Sequence, residues 1–231
     1  MPAGTVDTAD AIWHPSPNFG PRRDGLRPVF VVIHYTAMSD AQAALDRLCD
    51  PTAEVSAHYL IGGDGTLWQM VREQDRAWHA GAGEWCGLDD INSRSIGIEL
   101  DNRADHPFSH PQMVQLESVL AQILNRWQIP PQGVIGHSDM APGRKQDPGP
   151  RFDWARLARQ GRAAPGLPPV MAPDLSPDLS PDPTPDQFRA AARQVGFTAP
   201  VDDDTLLGAV RLRYRPWARG RLCAADMSVL T

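Results

Sequence analysis

Val29-Phe30-Val31-Val32-Ile33 is an unbroken apolar run in which four of five residues are β-branched, and His34-Tyr35 follows it directly. A run with no polar face predicts a strand covered on both sides of a sheet rather than half-exposed. Working outward, Asp40 through Cys49 carries Ala43, Ala44, Leu45 and Leu48 at helical spacing behind a Ser-Asp cap. Ala57 to Ile61, Gly62-Gly63-Asp64-Gly65 and Thr66 to Met70 read as a strand, a tight turn and a returning strand. Ser95-Ile96-Gly97-Ile98-Glu99-Leu100 is a further strand with alternating faces. Pro111 to Trp127 opens on proline and places Met113, Leu116, Val119, Leu120, Ile123, Leu124 and Trp127 on one helical face. Gly133 to Gly136 is a short strand and Phe152 to Gln160 a closing helix. Strands alternate with helices but one hairpin is antiparallel, so the fold class is mixed α/β: a central mixed sheet covered by helices.

Eight prolines fall between Gly161 and Pro185, in the near-repeat Pro173-Asp174-Leu175-Ser176-Pro177-Asp178-Leu179-Ser180-Pro181 and its continuation. Proline removes backbone donors and disfavours helix in the residue before it, so this stretch reads as an extended linker. A docking motif for a proline-binding module is the alternative use of such composition. The chain therefore divides into residues 1–160, a linker at 161–185 and a small helical domain at 186–231. In the last, Asp186–Val195 and Asp204–Arg215 have helical patterns, the second with Leu206, Leu207, Val210 and Leu212 on its apolar face. About 45 residues is near the lower limit for independent stability, so docking on the larger domain is expected.

With 42% hydrophobic and 22% charged residues the composition is that of a globular protein. A net charge of −6 without a Lys/Arg block gives no electrostatic attraction to nucleic acid. Three widely spaced cysteines with no CxxC pair fit neither a disulfide scaffold nor a cysteine zinc site. No apolar stretch is long enough to span a bilayer and no hydrophobic leader follows Met1, so no membrane segment and a cytoplasmic location are expected. A periplasmic location is the alternative if a leader has been trimmed. The expected oligomeric state is a monomer.

Of seven histidines, His34 ends one strand and His137 follows another, where a rigid sheet aims side chains at a common point. Asp147 lies ten residues after His137. Two neutral imidazoles and a carboxylate suit zinc with a fourth position open to water, whose acidity the ion raises. Equally, each histidine could be a satisfied polar residue, and no HExxH brings ligands together locally. Glu99 interrupts an apolar strand, so burial should raise its pKa, which suits a general base; an edge position or an arginine ion pair is the plain alternative. Lys145 is two residues before Asp147, in a loop stiffened by Pro142 and Pro148, and is either an oxyanion stabiliser or a solvated charge. Arg76-Ala77-Trp78-His79-Ala80-Gly81 has the make-up of a ligand rim, although Trp78 could be core. His14, His106 and His110 flank prolines in loop-like stretches and carry no assigned role.

These motifs occur in one order: Val32-Ile33-His34-Tyr35, Val55 to Ile61, Arg76 to Gly81, Asn92 to Glu99, and Gly136-His137 through Asp147-Pro148 to Trp154. Together they resemble the zinc-dependent N-acetylmuramoyl-L-alanine amidases related to the peptidoglycan recognition proteins. The resemblance covers roughly residues 12 to 160. Within the family it is nearest the amidases that act on 1,6-anhydro-muropeptides in cell-wall recycling and their periplasmic lipoprotein relatives. The segment after the linker is weakly similar to a three-helix peptidoglycan-binding domain. The resemblance implies zinc as cofactor, with His34, His137 and Asp147 as ligands, Glu99 as catalytic carboxylate and Lys145 as oxyanion stabiliser. Tyr35, Arg76, Trp78, His79 and Asn92 are the implied substrate contacts. Family members that use a tyrosine in place of the glutamate and a cysteine as third ligand differ here, where Ala57 and Asp147 stand. The implied reaction cleaves the amide between N-acetylmuramic acid and L-alanine of the stem peptide. Rival readings are a non-catalytic peptidoglycan sensor and an amidase of intact peptidoglycan.

Overall fold

The computed structural model describes residues 6–165 and 182–230. Most of the proline near-repeat, and hence of the predicted linker, lies outside the described residues. The chain opens with two short strands, β1 (Ile12–Trp13) and β2 (Phe19–Gly20), before β3 (Phe30–Tyr35), α1 (Ala41–Cys49), β4 (Tyr59–Ile61), β5 (Leu67–Gln69) and β6 (Arg76–Ala77). There follow α2 (Ile91–Arg94), β7 (Ser95–Leu100), α3 (His110–Trp127), β8 (Val134–Gly136), α4 (His137–Met140) and α5 (Trp154–Arg159). The C-terminal helices are α6 (Pro185–Gln194), α7 (Asp203–Tyr214) and α8 (Ala224–Met227).

Six strands form one sheet in the order β1-β5-β4-β7-β3-β8. Strands β4, β7, β3 and β8 run parallel, and β5 returns antiparallel to β4, so the sheet is mixed. The remaining strands β2 and β6 form a separate antiparallel pair. The apolar run lies near the middle of the sheet, which is why it needs no polar face. It extends two residues past Ile33, so His34 and Tyr35 belong to the strand rather than to the loop after it.

Side-chain alternation divides the sheet between two cores. Val31 and Ile33 of β3, Ile96, Ile98 and Leu100 of β7, and Tyr59 and Ile61 of β4 face α3, whose Leu116, Val119, Leu120 and Ile123 are fully buried. Ser109 caps α3 by accepting from Gln112 N, and Gln128 ends it in a left-handed conformation. His110 is thus the first residue of a helix, not part of a loop.

The other face carries Phe30, Val32 and Ile135, and they share a core with Phe188, Ala192, Phe197, Leu206 and Val210 of the C-terminal segment. The helical unit therefore does not stand apart: its apolar face is buried against the sheet and against Trp85 and Met140. Gly196 permits the closest approach, because a Cβ there would sit 2.4 Å from the Trp85 ring, and its φ of +117° also favours glycine. Inside the unit Asp226 accepts from Arg211 at 2.7 Å and also pairs with Arg215.

Candidate metal centre and active site

The two-residue period that sends Val31 and Ile33 to the α3 core sends His34 to the opposite face. On the neighbouring strand the same alternation leaves Glu99 on that second face, and the parallel register pairs His34 with Glu99. His137 starts α4 immediately after β8, the strand on the other side of β3. Asp147 is tied to the same turn by its carbonyl, which accepts from Ser138 N at 2.9 Å. Sheet register and one tight turn thus gather three groups that are 103 to 113 residues or ten residues apart in sequence.

His34 Nδ1, His137 Nδ1 and Asp147 Oδ2 form a triangle with sides of 2.9, 2.9 and 3.0 Å. All three residues are buried. The far nitrogens have partners of their own: His137 Nε2 meets the Ala80 carbonyl at 2.8 Å, and His34 Nε2 meets His79 Nδ1 at 3.0 Å. A carbonyl only accepts, so His137 carries its proton on Nε2 and turns a lone pair inward. Burial, followed by the neighbouring His137, lowers the His34 pKa to about 4, so this imidazole is neutral. Donating Nε2–H to His79 leaves His34 Nδ1 a lone pair too. Two imidazole lone pairs and a carboxylate at 3 Å from one another are satisfied together by a cation, and the donor set fits a divalent metal.

His79 is itself held. Its backbone N–H and that of Ala80 both donate to Asn92 Oδ1, at 3.0 and 2.8 Å, and its Nε2 lies 3.3 Å from Ser95 Oγ. The imidazole fills the space over Gly97, where a Cβ would come within 2.4 Å of the ring. His58, to which sequence reading gave no role, backs this layer. Its Nδ1 accepts from Gly97 N at 3.0 Å, and burial together with the Arg22 charge lowers its pKa to about 3.

Glu99 Oε2 is buried without a hydrogen-bond partner. Burial first, and then the Asp147 charge, push its pKa up to about 8, against a lowering contribution from Lys145. The strand is central and, among the described residues, no arginine pairs with Glu99, so neither plain alternative for this residue applies. A cavity of about 530 Å³ opens over these groups, lined by Tyr35, Trp78, His79, Glu99 and Lys145 as well as the triangle. Trp78 lies on the wall rather than in a core.

Two predicted substrate contacts are placed elsewhere. Arg76 lies off the cavity, on the small β2–β6 sheet, where its guanidinium is 3.5 Å from Asp90. Asn92 is buried beneath the 78–80 segment and spends its oxygen on two backbone amides. The cavity wall includes Arg47 of α1 and Arg144, neither singled out from sequence. Arg144 had a signal in its position between Pro142 and Asp147; Arg47 had none.

A mixed sheet thus sets Glu99 beside a two-histidine, one-aspartate cluster that could hold a metal ion, the residue types of a metal-assisted hydrolase site. Residues 24–150, more than half of the chain, match the family model for N-acetylmuramoyl-L-alanine amidase, and the chain belongs to that family. It is 42% identical over 150 residues to AmiD of Escherichia coli (strain K12), covering 58% of this chain and about half, 53%, of that one. It is 35% identical over 166 residues to the 1,6-anhydro-N-acetylmuramyl-L-alanine amidase AmpD of Citrobacter freundii, covering 64% and 89%. Among solved structures, E. coli AmiD in complex with anhydro-N-acetylmuramic acid-L-Ala-D-gamma-Glu-L-Lys superposes with a TM-score of 0.76 at 31% identity, covering 90% and 89%. AmpDh3 of Pseudomonas aeruginosa with an anhydromuramic pentapeptide gives 0.73 at 29% identity, covering 100% and 96%. The likeness to both structures therefore extends past the amidase domain into the C-terminal helices.

Proposed function

We propose that this protein is a zinc-dependent amidase. It cleaves the amide between N-acetylmuramic acid, in its 1,6-anhydro form, and L-alanine of the stem peptide in soluble cell-wall fragments. The observation that carries the reading is Glu99: a half-buried carboxylate on the cavity wall, on the strand next to His34, whose buried Oε2 has no hydrogen-bond partner among the described residues. Such a group costs stability wherever it serves only structure. The anhydro-muropeptides in the AmiD and AmpDh3 structures support this substrate class.

His34, His137 and Asp147 would hold the zinc ion, which when bound polarises the amide carbonyl and acidifies a water molecule. Glu99 takes a proton from the attacking water and hands it to the departing alanine amine, a role for which a pKa near neutrality is suited. Lys145 sets a positive charge at the cavity wall, where charge develops on the amide oxygen. His79 keeps His34 in one tautomer through the exchange. Trp78 and Tyr35 offer ring faces to the sugar, and Arg47 offers a guanidinium to stem-peptide carboxylates.

Replacing Glu99 by Gln keeps the shape of the site and removes the base. Zinc content should stay at wild-type level while release of stem peptide from anhydro-muropeptide falls by about 10²–10⁴-fold. A Glu99→Gln variant that cleaves at the wild-type rate rules out Glu99 as the base. The second reading, action on intact peptidoglycan, rests on the weak similarity of the segment after the linker to a peptidoglycan-binding domain. Side-by-side digestion of soluble anhydro-muropeptide and purified sacculi separates the two. A cytoplasmic location goes with the first substrate and a periplasmic one with the second. The active species is proposed to be a monomer, as gel filtration can test.

A further inference from the structure

Arg213 of α7 reaches out of the C-terminal helical unit into the turn that carries a metal ligand. Its guanidinium is fully buried and pairs with Asp139, while Nη2 donates to the Val134 carbonyl at 3.2 Å. It stacks on Trp154 with its carbon 4.0 Å from the ring centroid. The same Asp139 oxygen accepts from Gly136 N at 2.7 Å, the amide immediately before His137. One guanidinium thus spans the entry to β8, the cap of α4 and the ring of Trp154. From α4 the connections run directly to the site. His137 supplies Nδ1, Ser138 N holds the Asp147 carbonyl, and Met140 O accepts from Glu84 N at 2.8 Å.

This pair is an expensive way to hold a turn. Asp139 Oδ1 and Arg213 Nε are buried with no partner, and a buried ion pair left incomplete adds little stability over an apolar pair of the same volume. What it supplies is direction. A stacked guanidinium that donates to two separate fixed acceptors, one Asp139 oxygen and the Val134 carbonyl, has little rotational freedom, and it fixes the carboxylate that fixes the first turn of α4.

We propose that Arg213 is a positioning residue for the metal centre, acting through Asp139 to aim His137 and Asp147 at one point. The C-terminal helical unit is then a structural part of the amidase site, whatever else it binds. This rests on the reading of His34, His137 and Asp147 as metal ligands.

The test uses the full-length protein and zinc alone, with affinity measured against a competing chelator well below each variant's Tm. Removing only Arg213 would strand a buried charge, so the variant is Arg213→Met with Asp139→Asn, which keeps an oxygen to cap Gly136 N. Its zinc affinity should fall by about 10–100-fold, as for loss of an outer-shell partner. Arg213→Lys, which keeps the charge on Asp139, should recover part of that loss. Phe188→Leu loosens the same helical unit from the sheet without touching Asp139; it should lower Tm and leave zinc affinity unchanged. Wild-type zinc affinity in the folded double variant, or an equal loss in Phe188→Leu, overturns the positioning role. A parent protein that takes up no zinc overturns the ligand set itself.

Discussion

Burial and the charge of Asp147 leave Glu99 holding its proton up to about pH 8, whereas an ordinary glutamate releases it near 4.5. Between those values the folded chain binds a proton that the unfolded chain does not, so folding stability falls as pH rises through this window. Below about pH 4.5 both states are protonated and the penalty vanishes. Glu99→Gln removes the titrating group. In metal-depleted protein its Tm should match wild type near pH 4 and exceed it increasingly towards pH 8, by about 3 °C for each kcal/mol recovered. Scanning calorimetry across pH 4 to 8 checks this, and equal Tm values at pH 8 would show that Glu99 is not buried as described. Glu99 was legible in sequence because one carboxylate in Ser95–Leu100 is conspicuous among apolar neighbours. Arg76 and Asn92 misled because composition near a glycine-rich loop does not say which way a side chain points. Their partners, Asp90 and the 79–80 amides, lie 14 and 12–13 positions away.

At the scale of the element, β7 is the strand on which the site depends. Its centre is Gly97, where His79 lies on the position a side chain would occupy. Gly97→Ala places a methyl 2.4 Å from the imidazole, so the ring must shift from His34 Nε2 or the strand must move. The expected cost is about 1–3 kcal/mol of stability, as for overpacking in a core, together with weaker zinc retention. Thermal unfolding and metal analysis after dialysis measure both, and an unchanged Tm with full zinc content would place His79 outside the supporting layer. An unbroken apolar run was the signal for β3 and period the signal for β7, α1, α3 and α7, and these elements begin and end within two residues of the pattern. The strands β1, β2 and β6 have two residues each, too few to show any period, and they exist only through their pairing partners.

For the molecule as a whole, the small size of the unit after the proline-rich stretch pointed to docking, and its helices complete the second core. Leu206, Leu207 and Val210 were legible as an apolar face, but a face alone does not reveal what covers it. Phe30, Val32, Trp85, Ile135 and Met140 lose their cover if the chain ends at residue 165. Burying one such side chain contributes about 1.5–3 kcal/mol against a typical total stability of 5–15 kcal/mol. The shortened chain should therefore aggregate or melt at least 10 °C lower, as gel filtration with thermal unfolding would show. A monodisperse 1–165 fragment with the full-length Tm would mean that the helices add nothing to the core. No helix among the described residues is long and apolar enough to cross a membrane.

By itself the order of residues determined the mixed α/β class, the sheet-forming runs, and the residue types for the metal and proton chemistry, because periodicity and side-chain chemistry are local properties. Only the tertiary structure decided that His34, His137 and Asp147 converge within 3 Å, that Arg76 turns away, and that Arg213 reaches under α4. Those facts depend on strand register and on packing between segments far apart in the chain. A one-residue change of register would send His34 and Glu99 to opposite sides of the sheet without altering a single local pattern.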